Sequence, residues 1–187
     1  MKRAIHPQSA PDGAVRWVTE VALPTGRVEA APGTLGPLLE YGVLTRVYVE
    51  PRGVWTWLAP GHSWTDHGPR IRDAVAAAVD LDGWRIDPDA DDLLELIARD
   101  VVDVELAAYI ASHGGAITVL SAVDGVLSLD FGGACEDCPS AGATLHDRIE
   151  SAVRERYPAL VAVQRAGGHA HQSRGWLGGI QRRRHPN

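Results

Sequence analysis

Cysteine is scarce in this chain. Only Cys135 and Cys138 occur among 187 residues, which excludes the disulfide-stapled scaffolds of small secreted proteins. Long apolar runs are also missing. No stretch approaches the ~18 consecutive apolar residues of a membrane span, and the opening MKRAIHPQSAPDG has no apolar core of the secretory-signal kind. The expectation is a soluble, cytoplasmic protein with no membrane partner. An excess of positive charge is absent too: 18 basic and 24 acidic residues leave a net charge of -6. That balance argues against a protein whose main task is to neutralise phosphates, so no nucleic-acid partner is expected. Neither a Walker-type nor a Rossmann glycine loop is present, and no Ser, His and Asp or Glu set has a supporting motif. The chain reads as a protein that is not an enzyme.

What is present is an ordinary globular composition, 45% hydrophobic and 22% charged, able to bury a core. The length suits one domain or two small ones, and uneven composition divides it. The last 24 residues carry five arginines and no acid, leaving 13 basic residues against 24 acidic ones in the rest. With five glycines and little periodicity, 164–187 is expected to be a disordered basic tail. The acidic, proline-containing IDPDADD marks a linker over 86–92. The expected fold class is α+β, as two small α/β-layer domains at 14–85 and 93–163 behind a flexible 1–13.

In the first half, Ala14 to Leu23 reads as a strand and Thr34 to Gly42 as a short helix. The β-branched and aromatic runs Leu44 to Glu50 and Val54 to Pro60 read as a hairpin across Pro51-Arg52-Gly53. From Ser63 to Val79 the spacing of Ile71, Val75 and Val79 predicts a helix whose regular turns follow Pro69. Five of the six tryptophans fall between residues 17 and 84, which points to core packing and a possible contact surface. In the second half, Asp91 to His113 has one helical stripe that includes Val101, Val104 and Ile110, stopped by Gly114-Gly115. Asp124-Gly125 between alternating runs is a hairpin turn. A CxxC loop follows, then a helix from about Ser140 to Tyr157-Pro158, and LVAVQ supplies a short final strand.

The two cysteines fall three apart, a spacing that random placement gives in roughly 1% of arrangements. Their loop joins a strand to a helix N-terminus, where free N–H groups and the helix dipole favour thiolates. Gly132 and Gly133 keep the approach open, and Pro139 and Ser140 suit a helix start. Glu136 and Asp137 oppose thiolate formation unless a cation offsets them, so metal binding fits better than a bare reactive thiol. A complete zinc or iron-sulfur site usually takes four ligands, and one chain supplies two thiols. Two chains related by a two-fold axis supply four. A thioredoxin-like dithiol and a zinc-bound interaction module remain as alternatives.

The run from about Leu106 to Val163, with Gly114-Gly115, the strand pair across Asp124-Gly125 and then GACEDCPSAGATL, resembles the C-terminal domain of the NifU or Nfu-type iron-sulfur cluster scaffold family. That family's G-x-C-x-x-C-P-S string is matched here; Ala107-Ala108 and His113 stand where the family often has Arg-Pro and Asp. The segment from Thr34 to the following helix is similar to the N-terminal domain of some Nfu-type proteins. The resemblance implies that Cys135 and Cys138 ligate a 4Fe-4S cluster bridging the two protomers of a homodimer. It also implies apo iron-sulfur recipient proteins and cluster-assembly donors as partners.

The histidines have simpler readings. His113 beside Gly114 suits a helix C-cap. His146 lies about two turns beyond Cys138, too far along its helix to share a metal with it. His62 and His67 read as a solvated loop or first helical turn. His169 and His171 carry no expected role, and Arg182 to Arg184 read as a solvated terminus.

Overall fold

The computed structural model describes residues 4–88, 90–133 and 139–166, with the side chains of 139–142 left out of the description. Among the described residues nine strands lie in two sheets accompanied by five α-helices, an α+β arrangement. The first sheet has six antiparallel strands: β1 (His6–Ser9), β2 (Val15–Val18), β3 (Gly26–Ala30), β4 (Leu44–Glu50), β5 (Gly53–Leu58) and β6 (Arg85–Asp87), in the order β1-β2-β5-β4-β3-β6. The expected hairpin is β4–β5, where Glu50 pairs with Gly53 across Pro51-Arg52. Proline's fixed φ favours the first central position of such a turn.

Both central strands are buried over most of their length because both of their faces are covered. Val47, Val49 and Val54 join Trp17 and Val28 under α1 (Leu35–Glu40) and α2 (Trp64–Ala78). Tyr48, Trp55 and Trp57 face the other way, into the core of the second half. The tryptophans therefore act as core and as contact at once.

Two elements of the first half differ from expectation. The strand expected over Ala14 to Leu23 is regular only as β2; beyond it Thr19 and Val21 donate their N–H groups to the Arg52 and Pro51 carbonyls at 3.3 and 2.9 Å, following the hairpin turn. Helix α2 begins before Pro69, since Ser63 caps it by accepting the Asp66 N–H at 3.2 Å. A strong cap sets the start, and the proline is tolerated inside with one helical bond missing. Ahead of β2, His6–Ser9 already pairs with it as β1. Residues 85–87 form the far edge of the same sheet, so the 86–92 stretch carries the end of β6 and the entry to the next helix.

The second half starts with α3 (Asp91–Asp100). A π turn over Val101–Glu105 separates it from α4 (Ala107–Ser112), so the single expected helix is broken. Three β-branched valines at 101, 102 and 104 crowd that turn, and β-branched residues are weak helix formers. The Leu106 N–H reaches back five residues to the Val101 carbonyl at 2.8 Å. The wider turn rotates the stripe: Val101 and Ile110 are buried, while Val104, expected on the same face, is exposed.

The second sheet contains β7 (Gly115–Val123), β8 (Val126–Gly133) and β9 (Ala162–Arg165), ordered β7-β8-β9, antiparallel then parallel. Asp124 at φ 52° and Gly125 at φ 73° make the turn that the Asp-Gly pair predicts. Both turn N–H groups donate to the Asp91 carboxylate, at 2.8 and 3.0 Å, which ties the hairpin tip to the start of α3. Helix α5 (Pro139–Arg156) crosses from β8 to β9, with Leu145, Ile149 and Val153 buried on the stripe the sequence predicts. Of the tail expected over 164–187, Gln164 and Arg165 belong to β9, and 167–187 lie outside the described residues. No helix among the described residues is long and apolar enough to cross a membrane.

Candidate functional site

Cys135 and Cys138 lie outside the described residues, so the site is defined by what brackets it. Strand β8 ends at Gly133 and α5 begins at Pro139. Residues 134–138 therefore join the end of the sheet's central strand to a helix N-terminus, the setting expected from the sequence.

The entrance to that loop is built of glycine. Gly133 pairs with Gly115, and Gly132 with Ala116. Gly133 has φ 64°, and a Cβ placed on it would stand 2.5 Å from the Gly114 carbonyl oxygen. Only glycine meets both demands, the left-handed backbone and the close backbone approach. The Gly114-Gly115 pair thus has a second role besides ending α4: it lies against the strand that leads into the cysteine loop.

Behind the loop the packing is tight. Phe131 is buried at the end of β8 and stacks on His146 of α5 at 6.4 Å between ring centroids, with the Arg165 guanidinium 5.2 Å from the Phe131 ring on β9. The His146 Nε2–H donates to the Val163 carbonyl at 3.0 Å, so that nitrogen is engaged in holding α5 to β9. His113 caps α4, its backbone N–H reaching the Ile110 and Ala111 carbonyls and its Nδ1–H the Tyr109 carbonyl at 3.0 Å. The Arg148 guanidinium sits over the Tyr109 ring at 4.4 Å, which joins α5 to α4. His62 and His67 are hydrogen-bonded to each other at 2.9 Å on the exposed start of α2. Among the described residues no group of three or more His, Cys, Asp or Glu side chains converges as a metal site.

The far end of α5 is anchored by an ion network that sequence reasoning did not find. Arg156, 1% exposed, donates to Glu50 at 2.6 and 2.9 Å and to Asp100 at 2.7 Å. Arg16 reaches the same Glu50 at 2.6 Å, and the Trp55 indole N–H donates to it at 2.9 Å. Two guanidinium and two carboxylate groups thus balance inside the protein. Burial pulls the Arg156 pKa down, but hydrogen bonds and charge from Glu50 and Asp100 more than reverse it, so Arg156 stays protonated. Glu50 and Arg156 are 106 residues apart, and no local pattern announces such a pair.

Residues 99–164 match the NifU-like domain family. Similar proteins include the Fe/S biogenesis protein NfuA of Xanthomonas oryzae pv. oryzae strain PXO99A, 42% identical over 73 residues. The protein of the same description from Xanthomonas campestris pv. campestris strain 8004 is 41% identical over 73 residues. In each case the matched stretch covers 38% of this chain and 37% of the relative.

Proposed function

We propose that this protein takes part in iron-sulfur cluster biogenesis as a scaffold or carrier, not as an enzyme. Cys135 and Cys138 from each of two chains bind a 4Fe-4S cluster, and the cluster is cargo passed on to apo iron-sulfur proteins. The observation that carries this reading is the position of the CxxC pair inside the 99–164 match to the NifU-like domain. The relatives described as Fe/S biogenesis proteins support the same direction.

The chemistry is consistent. The helix dipole and free N–H groups at the start of α5 favour thiolates. Two thiolates per chain leave the four-ligand requirement unmet until a second copy joins, so cluster loading and dimerisation are one event. A loop reached through glycines has no side chains at its neck to hinder a recipient's thiolates, which can replace the scaffold's one at a time. The homodimer, the recipients and donors, and a cytoplasmic location are parts of this proposal. The 14–85 segment, read as Nfu-type, serves partner recognition or delivery.

Anaerobic reconstitution of Cys135→Ser and Cys138→Ser tests it. Each variant is expected to lose stable cluster binding while its circular dichroism spectrum stays that of the parent chain. A full cluster retained in both variants refutes the shared site.

A further inference from the structure

Helix α2 carries Gly68 and Pro69 side by side beyond its first turn, and these are the two least favourable residue types for a helix interior. Both line one cleft. It has a volume of about 260 Å³ and lies between α2, which also contributes Trp64, and the β1–β2 edge of the first sheet, which contributes Pro7, Val15 and Trp17. A Cβ added at Gly68 would meet nothing within 4 Å, and its φ is not positive, so neither close packing nor backbone geometry demands glycine there. What the glycine does is leave the cleft open. Local rules broken without a structural gain point to function.

The aromatic walls are fixed in place. Trp17 donates its indole N–H to the Thr56 hydroxyl at 2.8 Å and Trp64 donates its own to the Gly13 carbonyl at 2.9 Å, with the two rings edge to face at 6.2 Å between centroids. Both polar handles are engaged, so the indoles offer the cleft apolar surface only. The charge in the lining is Arg72, and no carboxylate lines the cleft among the described residues. Arg72 pairs with Asp73, its exposed neighbour in sequence, at 2.9 Å outside the lining. Such a surface pair contributes little and leaves the guanidinium able to turn to a guest.

We propose that this cleft binds a carboxylate with an apolar body, the body against Trp64 and Pro69 and the charge on Arg72. A cation is disfavoured by Arg72, and a small hydrophilic anion leaves the indole and proline surface uncovered. Drug-sized ligands occupy ~300 to 1,000 Å³, so the guest is limited to a single ring or a short branched chain. Two sources share that chemistry: a free aryl or alkyl acid, and the C-terminal residue of a polypeptide that ends in an apolar side chain. The inference is independent of the cluster, because it rests on residues outside the cysteine loop.

The test is an NMR titration of the ¹⁵N-labelled full chain, following the indole N–H signals, with the Trp64 signal assigned through Trp64→Phe. 3-Phenylpropionate and 4-methylpentanoate represent the free acids; a tripeptide ending in phenylalanine, against its amidated form, represents the polypeptide source. Acetate and 3-phenylpropanamide separate the charge from the apolar body. The expected result is a saturable shift of the Trp64 signal with 3-phenylpropionate, at least tenfold weaker with the amide or in Arg72→Gln and partly kept in Arg72→Lys. Gly68→Leu, which fills the cleft from the helix side, is expected to abolish the shift while the other indole signals stay in place. The tighter-binding arm assigns the source. No saturable shift with any of the apolar carboxylates, acetate binding as tightly as 3-phenylpropionate, or an unchanged midpoint in Gly68→Leu or Arg72→Gln overturns the proposal.

Discussion

Tyr48 shows how one buried side chain can carry a pH dependence. Burial first, then the hydrogen bond and negative charge of Asp92, push its pKa up from 10.0 to about 12. Because the folded-state value lies above the ordinary one, the neutral phenol stabilises the fold fully below pH 10, and that contribution is lost as pH rises through about 12. Tyr48→Phe removes this dependence. Chemical denaturation of both forms across that window is expected to show their stabilities converging as the pH rises, and a constant difference contradicts the assignment. Gly133 makes an equally local prediction. With φ 64° and a Cβ site 2.5 Å from the Gly114 oxygen, Gly133→Ala is expected to cost ~1–3 kcal/mol in urea denaturation. It also disturbs the entry to the cysteine loop.

At the scale of elements, α5 is tied to β9 near its middle by His146 and at its last residue by Arg156, which enters the buried network with Glu50 of β4 and Asp100 of α3. Replacing a buried pair by apolar groups can be neutral, whereas removing one partner leaves a charge uncompensated. Glu50→Gln is therefore expected to destabilise the chain by ~3–5 kcal/mol, read from the urea midpoint at constant slope; a change within experimental error would show the network to be dispensable. Such ties explain which elements could be read from the sequence. The two hairpins and α5 follow from local signals: β-branched runs around Pro51-Arg52, the Asp124-Gly125 turn, and the Leu145, Ile149, Val153 stripe. The π turn after Asp100 escaped because a helical stripe does not reveal one extra residue in a turn. The Arg16, Glu50, Asp100 and Arg156 network escaped because its partners are brought together only by folding. The CxxC spacing is a local feature of the sequence, and so is the helix start at Pro139 that follows it.

At the scale of the molecule, the two sheets are not insulated from each other. Tyr48, Trp55 and Trp57 of the first sheet share a core with α3, α5 and the second sheet, and the buried ions run across the same contact. In the proposed function two copies of this chain hold one cluster between their CxxC pairs. Anaerobic reconstitution followed by native mass spectrometry measures subunits, iron and sulfide on the same particle. The expected particle is a dimer carrying four irons and four sulfides. A monomer with an internal Cys135–Cys138 disulfide and no metal, or a dimer that retains only zinc under iron-replete conditions, contradicts it.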